Sequence, residues 1–243
     1  METFPTRLSV NVNKIATLRN ARGAARPCPV AAAVRIQQWG ADGITVHPRP
    51  DGRHITFDDV RKLKPVITTE FNIEGYPSSE FVDLVLEIAP DQVTLVPDPP
   101  GILTSNEGWD TRIHAEMLGQ VLSKFREAGI RTSLFISTDH SLIQGAADVG
   151  ADRIELYTGP YAAAFSQDPS AAVRPFAAAA EHAANVGLDV NAGHDLDLDN
   201  LAHFAQHVQP LQEVSIGHAL ISDALYVGLQ NAVGQYKAQL RPA

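Results

Sequence analysis

The chain has 243 residues, 44% of them hydrophobic, enough to bury a large core in one barrel or in two ordinary domains. Its 28 acidic residues outnumber 19 basic ones, and a formal charge of -9 argues against the basic stripe that a nucleic-acid surface needs, so any anion site must be local. One cysteine, Cys28, excludes an internal disulfide and a multi-cysteine metal cluster; with no apolar signal core at residues 1–7 and no run near the ~18 apolar residues of a membrane span, the expectation is a soluble, cytoplasmic protein.

Short β-branched runs alternate with alanine-rich periodic runs along the whole chain. Strands are predicted over Leu8–Val12, Gly43–His47, Val66–Ile73, Gln92–Val96, Arg131–Ile136, Arg153–Thr158, Leu188–Ala192 and Glu213–Gly217. Helices are predicted over Pro29–Trp39, Phe57–Leu63, Ser78–Ile88, Asp110–Ala128, Ser141–Val149, Pro169–Val186, Asp197–Gln206 and Ala219–Gln239. Asp168 before Pro169 makes a good helix start, because aspartate caps free amides and a proline at the first position loses no hydrogen bond. Phrases such as Val149-Gly150-Ala151-Asp152 and Val186-Gly187-Leu188 place glycine where a helix hands over to a strand, the trace of a repeated unit. Eight strand-helix units in this length predict a single α/β domain over residues 1–243, a (β/α)8 TIM barrel with extra helical segments. An open doubly wound sheet is the runner-up, but no Gly-x-Gly-x-x-Gly follows the first strand and no composition break marks a second domain.

In such a barrel ligands meet the C-terminal strand ends, so unusual polar residues are read there. After the first strand, Asn11 and Asn13 share a face by the period of two, with Lys14, Arg19 and Arg22 nearby; ordinary turn chemistry is the competing reading. The second strand ends at His47, in a loop that crowds Arg49, Arg53 and His54 together, an arrangement that calls for an anion or a reacting group. The third carries Glu70, Asn72 and Glu74 on one face, with Glu74 nearest the top as acid or base and Glu70 deeper and structural. Thr104 lies in the proline-stiffened loop after the fourth strand, within reach of a phosphate. The fifth strand offers only Ser133 and Ser137. The sixth points Glu155 into the barrel. The seventh and eighth end alike, in Gly193-His194 and Gly217-His218, where glycine lets backbone amides approach an anion and the next helix points its positive end at it. A metal site built from the histidines and glutamates competes with this account, but there is no His-x-His or His-Glu-x-x-His and the arginines would repel a cation. Of the five lysines only Lys14 lies near a strand end, which leaves little scope for a Schiff base.

The stretches Asn11–Gly23 (NVNKIATLRNARG), Gly40–His47 (GADGITVH), Arg53–Thr56 (RHIT), Val190–His194 (VNAGH) and Ile216–Ala219 (IGHA) resemble the pyridoxine 5'-phosphate synthase family. These are the ring-closing enzymes of the deoxyxylulose-dependent vitamin B6 pathway, and the resemblance runs from about Ser9 to the last helix. It implies condensation of 1-deoxy-D-xylulose 5-phosphate with 3-amino-2-oxopropyl phosphate to pyridoxine 5'-phosphate, phosphate and water, with no cofactor or metal. By motif, His47 and Glu74 match the family's proton acceptors, His194 its proton donor, and Glu155 a carboxylate that assists the transition state. Asn11, Arg22, Asp195, Gly217 and His218 fall on positions that hold the amino ketone phosphate, and Arg49, His54 and Thr104 on positions that hold the deoxyxylulose phosphate. The sequence departs from the best-known motif at Asn13-Lys14, in place of Asp-His, which implies altered sugar-phosphate contacts, and at Asp195, in place of glycine. The resemblance also implies a homo-octamer, for which the predicted helix from Asp110, with Trp109 at its start, is a contact surface.

Overall fold

Parallel strands paired in chain order close into a barrel when the first meets the eighth. The computed structural model describes residues 6–23, 25–49, 51–97 and 108–241. The strands are β1 (Arg7–Asn11), β2 (Gly43–Val46), β3 (Glu70–Gly75), β4 (Gln92–Leu95), β5 (Arg131–Ile136), β6 (Arg153–Leu156), β7 (Asp189–Ala192) and β8 (Glu213–Ile216). The helices are α1 (Asn13–Asn20), α2 (Pro29–Gln38), α3 (Phe57–Leu63), α4 (Ser79–Ile88), α5 (Ala115–Glu127), α6 (His140–Asp148), α7 (Gly159–Phe165), α8 (Pro169–Asn185), α9 (Leu201–His207), α10 (His218–Val227) and α11 (Leu229–Gln239).

The repeated hand-over phrase has a structural cause. Gly187 ends α8 at φ 85°, a conformation that costs glycine least. The aspartates that precede β2, β4 and β6 then reach sideways to the neighbouring strand. Asp42, Asp91 and Asp152 accept the backbone N–H of Leu8, Phe71 and Thr132, each at 2.8 Å. Three pairs of neighbouring strands, β1–β2, β3–β4 and β5–β6, are thereby pinned at the N-terminal rim, which fixes register where the sheet would otherwise fray.

Several predicted boundaries move. The third strand begins at Glu70 rather than Val66, because Pro65 sits in a 3-10 turn over Lys64–Val66 and proline cannot donate to a ladder. Residues 13–20 and 159–165, where no helix is predicted, form α1 and α7; α1 buries only Ile15 and Ala16, so its periodicity is faint. This corrects the shared-face reading of Asn11 and Asn13, since Asn13 opens a helix. The helix predicted from Asp110 begins at Ala115, and Trp109, predicted to lie on a contact surface, is buried with its Nε1 donating to Leu95 O at 2.9 Å. The predicted last helix is two, parted at Gly228 with φ 82°. The one predicted from Asp197 is confined to α9.

Alternation along the strands divides the molecule into two very different interiors. Outward-facing Leu8, Val10, Ile44, Ile73, Val93, Leu134, Ile154, Val190, Val214 and Ile216 are fully buried against the helices, and this annulus is the hydrophobic core. Each such side chain contributes roughly 1.5–3 kcal/mol by leaving water. Inside the barrel the chain is polar. Ser9 and Thr45 hydroxyls meet at 2.7 Å, Asn72 Nδ2 donates to Thr45 at 3.4 Å, and Thr94 donates to Asn72 at 3.1 Å. Below them, at the N-terminal end, Glu70 pairs with Arg7 at 2.7 Å and with Arg131, while Arg153 lies 3.8 Å away. Among the described residues no helix is long and apolar enough to cross a membrane.

Candidate active site

The C-terminal strand ends enclose a cavity of about 850 Å³ counted out to its open mouth. β1 and the start of α1 bring Asn11, Asn13 and Lys14; the segment after β2 brings His47, Arg49 and His54; β3 brings Glu74; β6 brings Glu155; and the loops after β7 and β8 bring His194, Gly217 and His218. Eleven of the sequence-predicted site residues therefore share one lining. Arg22 lies exposed in the turn after α1 and does not line the cavity. Asp195 does not line it either, and Thr104 lies outside the described residues.

Local chain geometry fixes these side chains. Asn11 Oδ1 accepts the N–H of Asn13 at 3.0 Å while its Nδ2 donates to Glu74 Oε2 at 3.3 Å. Asn13 Oδ1 accepts the N–H of His47 at 2.9 Å, so the first and second strand ends are tied together by an amide side chain. His47 Nδ1 lies 3.9 Å from Glu74 Oε2, and its ring meets that of His54 edge-on with centroids 6.1 Å apart. His54 Nδ1 accepts the N–H of Ile55 at 3.0 Å, which puts the ring proton on Nε2. Gly217 packs so closely on Asn11 that an added Cβ would come within 3.0 Å of its Cβ.

The proton states of these groups diverge. Burial, followed by the charges of Arg49 and His54, pushes His47 down to about 3, and burial with Arg49 and Lys14 pushes His54 down to about 4. Both rings are neutral at pH 7. Burial, reinforced by the charge of Glu213, pushes Glu74 up to about 8. Burial and then Glu74 do the same for Glu155, again to about 8. His194 moves the other way from His47. Its Nδ1 lies 2.9 Å from Asp195 Oδ2, and that bond holds its pKa above the ordinary value against the opposing effect of burial. Asp195 is itself held by its N–H on Thr158 Oγ1 at 3.2 Å, and Thr158 donates to Gly193 O at 2.9 Å. The Asp195 side chain thus orients a histidine.

Four lining residues escaped sequence reasoning: Thr94, Val96, Phe135 and Ser215. Phe135 is the informative one. It sits opposite Glu155 in the β5–β6 register and is buried, so it supplies part of the apolar surroundings that keep the carboxyl protonated. The alternation of β5 marks Phe135 as inward, but an apolar residue announces no chemistry. Among the described residues, no three His, Cys, Asp or Glu side chains gather into a metal-ligating group.

Known proteins resemble this one in fold and, more closely, in sequence. In solved structures the fold recurs in tryptophan synthase from M. tuberculosis, with a TM-score of 0.66 at 13% identity, covering 99% of this chain and 94% of that one. It recurs in 3-keto-L-gulonate-6-phosphate decarboxylase from Vibrio cholerae, with a TM-score of 0.64 at 10% identity, covering 98% and 100%. At such identities the likeness is one of fold. Sequence relatives are far nearer. The pyridoxine 5'-phosphate synthase of Bacteroides fragilis is 58% identical over 97% of this chain and 100% of its own length, and that of Porphyromonas gingivalis 57% identical over 97% and 99%. The family described as pyridoxal phosphate biosynthesis protein PdxJ matches residues 8–242, and to that family this chain belongs.

Proposed function

We propose that the protein is a pyridoxine 5'-phosphate synthase that condenses 1-deoxy-D-xylulose 5-phosphate with 3-amino-2-oxopropyl phosphate, without cofactor or metal, and releases phosphate and water. The observation that carries this reading is the convergence, on one cavity, of a neutral imidazole at His47, two protonated carboxyls at Glu74 and Glu155, and an imidazole at His194 held toward its cationic form. An amine must attack a carbonyl, carbon and nitrogen must lose protons, and hydroxyl and phosphate must leave. A single acid-base group cannot serve all of these steps. His47 begins as acceptor and His194 as donor. Glu74 begins protonated, gives its proton to a leaving hydroxyl, and is then the acceptor for the next deprotonation, each such transfer being worth about 10²–10⁴-fold in rate. Glu155 stabilises cationic character when ionised.

Two phosphates need two positive pockets. His54, donating from Nε2, with Arg49 and Lys14, forms one for the ketose phosphate, with Thr104 assigned to it by motif. The other is the rim of Gly217 and His218 at the start of α10, where free helical amides and the helix dipole favour an anion. Arg22 and Asp195 join the amino ketone site by motif alone.

Incubation of purified protein, freed of metal by a chelator, with both phosphates is expected to yield pyridoxine 5'-phosphate, detected by mass and absorbance. Activity lost on chelation and restored by a divalent cation would move the protein among metal-dependent sugar-phosphate enzymes. Binding of both phosphates without product, where the Bacteroides fragilis enzyme turns over, would make it a silent barrel.

A further inference from the structure

Helix α1 and the segment that follows β2 touch at both ends. At the near end Asn13 holds the N–H of His47. At the far end, Asn20 Nδ2 donates to His54 O at 2.8 Å and to Gly52 O at 3.2 Å, and Arg19 Nη2 donates to the same His54 carbonyl at 3.3 Å. Arg19 Nε donates to Asn20 Oδ1 at 2.9 Å, which fixes the amide with its nitrogen toward those carbonyls. The guanidinium also forks onto Asp59, at 2.5 Å and 2.8 Å. Asp59 in turn accepts the N–H and the hydroxyl of Thr56, both at 2.9 Å, closing the capping box that starts α3.

We infer that Arg19 and Asn20 are positioning residues that hold His54 in place for the ketose phosphate, with α1 serving as the brace between the two ends of the segment. The inference rests on the proposed activity for its kinetic expression and on geometry for the rest. Arg19 is not a phosphate ligand, because its planar fork is occupied by Asp59 and its side chain is only 16% exposed. A lysine keeps the charge but cannot bridge a carboxylate and a carbonyl at once. With the carbonyl of residue 54 released, the short Ile55 N–H to Nδ1 contact loses its fixed geometry, and the ring no longer has to carry its proton on Nε2, the atom left for the ligand. A loss of about 1 Å in placement of a binding group is enough to change catalysis substantially.

The test uses the full chain with ¹⁵N-labelled histidine, His54 being assigned by its disappearance in His54→Gln. In wild type the His54 nitrogens are expected to show one fixed neutral tautomer. Arg19→Lys and Asn20→Ala are both expected to average the two tautomers, and to raise KM for the ketose phosphate by about tenfold while kcat and the KM of the amino ketone phosphate stay within about threefold. Arg61→Ala, on the same helix α3, which removes an exposed pair with Glu87 of α4, is the control and changes neither. An unaltered His54 signal in both variants overturns the inference, as does an unaltered ketose phosphate KM in an active enzyme. If wild type makes no product, the proposed activity fails and the histidine spectra alone decide the brace.

Discussion

Glu70 and Glu74 stand four residues apart on β3 and face the same way, yet their surroundings are opposite. Glu70 is held among Arg7, Arg131 and Arg153, while Glu74 meets the Asn11 amide and the His47 ring in a buried pocket and keeps its proton to about 8. The period of two in the sequence was enough to place both on the inner face, and their order along β3 to set Glu70 deep and Glu74 at the cavity. It was not enough to show Arg19 as a brace, because a lone arginine near a strand end looks alike whether it meets phosphate or Asp59, forty positions away. The bond from Asp195 to its own neighbour His194 was likewise illegible in the sequence. We expect Glu74→Gln and His194→Ala each to lower kcat by about 10²–10⁴-fold with thermal unfolding little changed. Steady-state assay beside calorimetry checks this, and near-wild-type rates in either variant would refute the role given to that residue.

At the scale of elements, the sheet was far more legible than the helices. A buried strand shows its own alternation, and the helix-to-strand glycines mark where it begins. Helices α1 and α7 are short and bury little, so their signal is weak. The run over α10 and α11 reads as one helix because Gly228 is a single residue in an otherwise apolar and polar periodic stretch. Loops that carry the site depend on tight packing between strand ends. A Cβ on Gly193 would meet the Ser215 carbonyl across the β7–β8 junction, whereas one on Gly119, within α5, meets nothing within 4 Å. Gly193→Ala is expected to destabilise by about 1–3 kcal/mol, or roughly 2–10 °C in Tm. Gly119→Ala should instead stabilise slightly, by about 0.5–1 kcal/mol. Differential scanning calorimetry of the two variants decides the point, and equal shifts would show that the junction tolerates the methyl.

Over the whole molecule the polar barrel interior links stability to the site. Glu213 is buried near Glu70, and burial first, then that neighbour's charge, pushes it up to about 8 despite three nearby arginines. An unfolded chain releases this proton near the ordinary value of 4.5. Between those two values the folded state binds more protons than the unfolded one, so stability falls as pH rises from about 4.5 through about 8. Glu213→Gln is therefore expected to leave Tm nearly unchanged at pH 5 and to raise it at pH 8.5 by about 2–4 °C for each kcal/mol recovered. Because Glu213 also raises Glu74, the variant should move the alkaline limb of kcat/KM to lower pH. A Tm difference that does not depend on pH, or an unmoved limb, would show that Glu213 carries no such charge penalty.

The closure of the barrel has a consequence in time. β1 pairs with β8 across four register positions, from Arg7 with Glu213 to Val10 with Ile216, and Thr6 Oγ1 donates to Leu211 O across 205 residues. Loop-closure entropy grows slowly with length, so the distance is tolerable, but contacts this non-local form late in folding. Ser215, Gly217 and His218 arrive with the same last strand. A nascent chain that ends before them has two open sheet edges and an incomplete cavity lining. Ring and site are completed in one event, when the last strand meets the first.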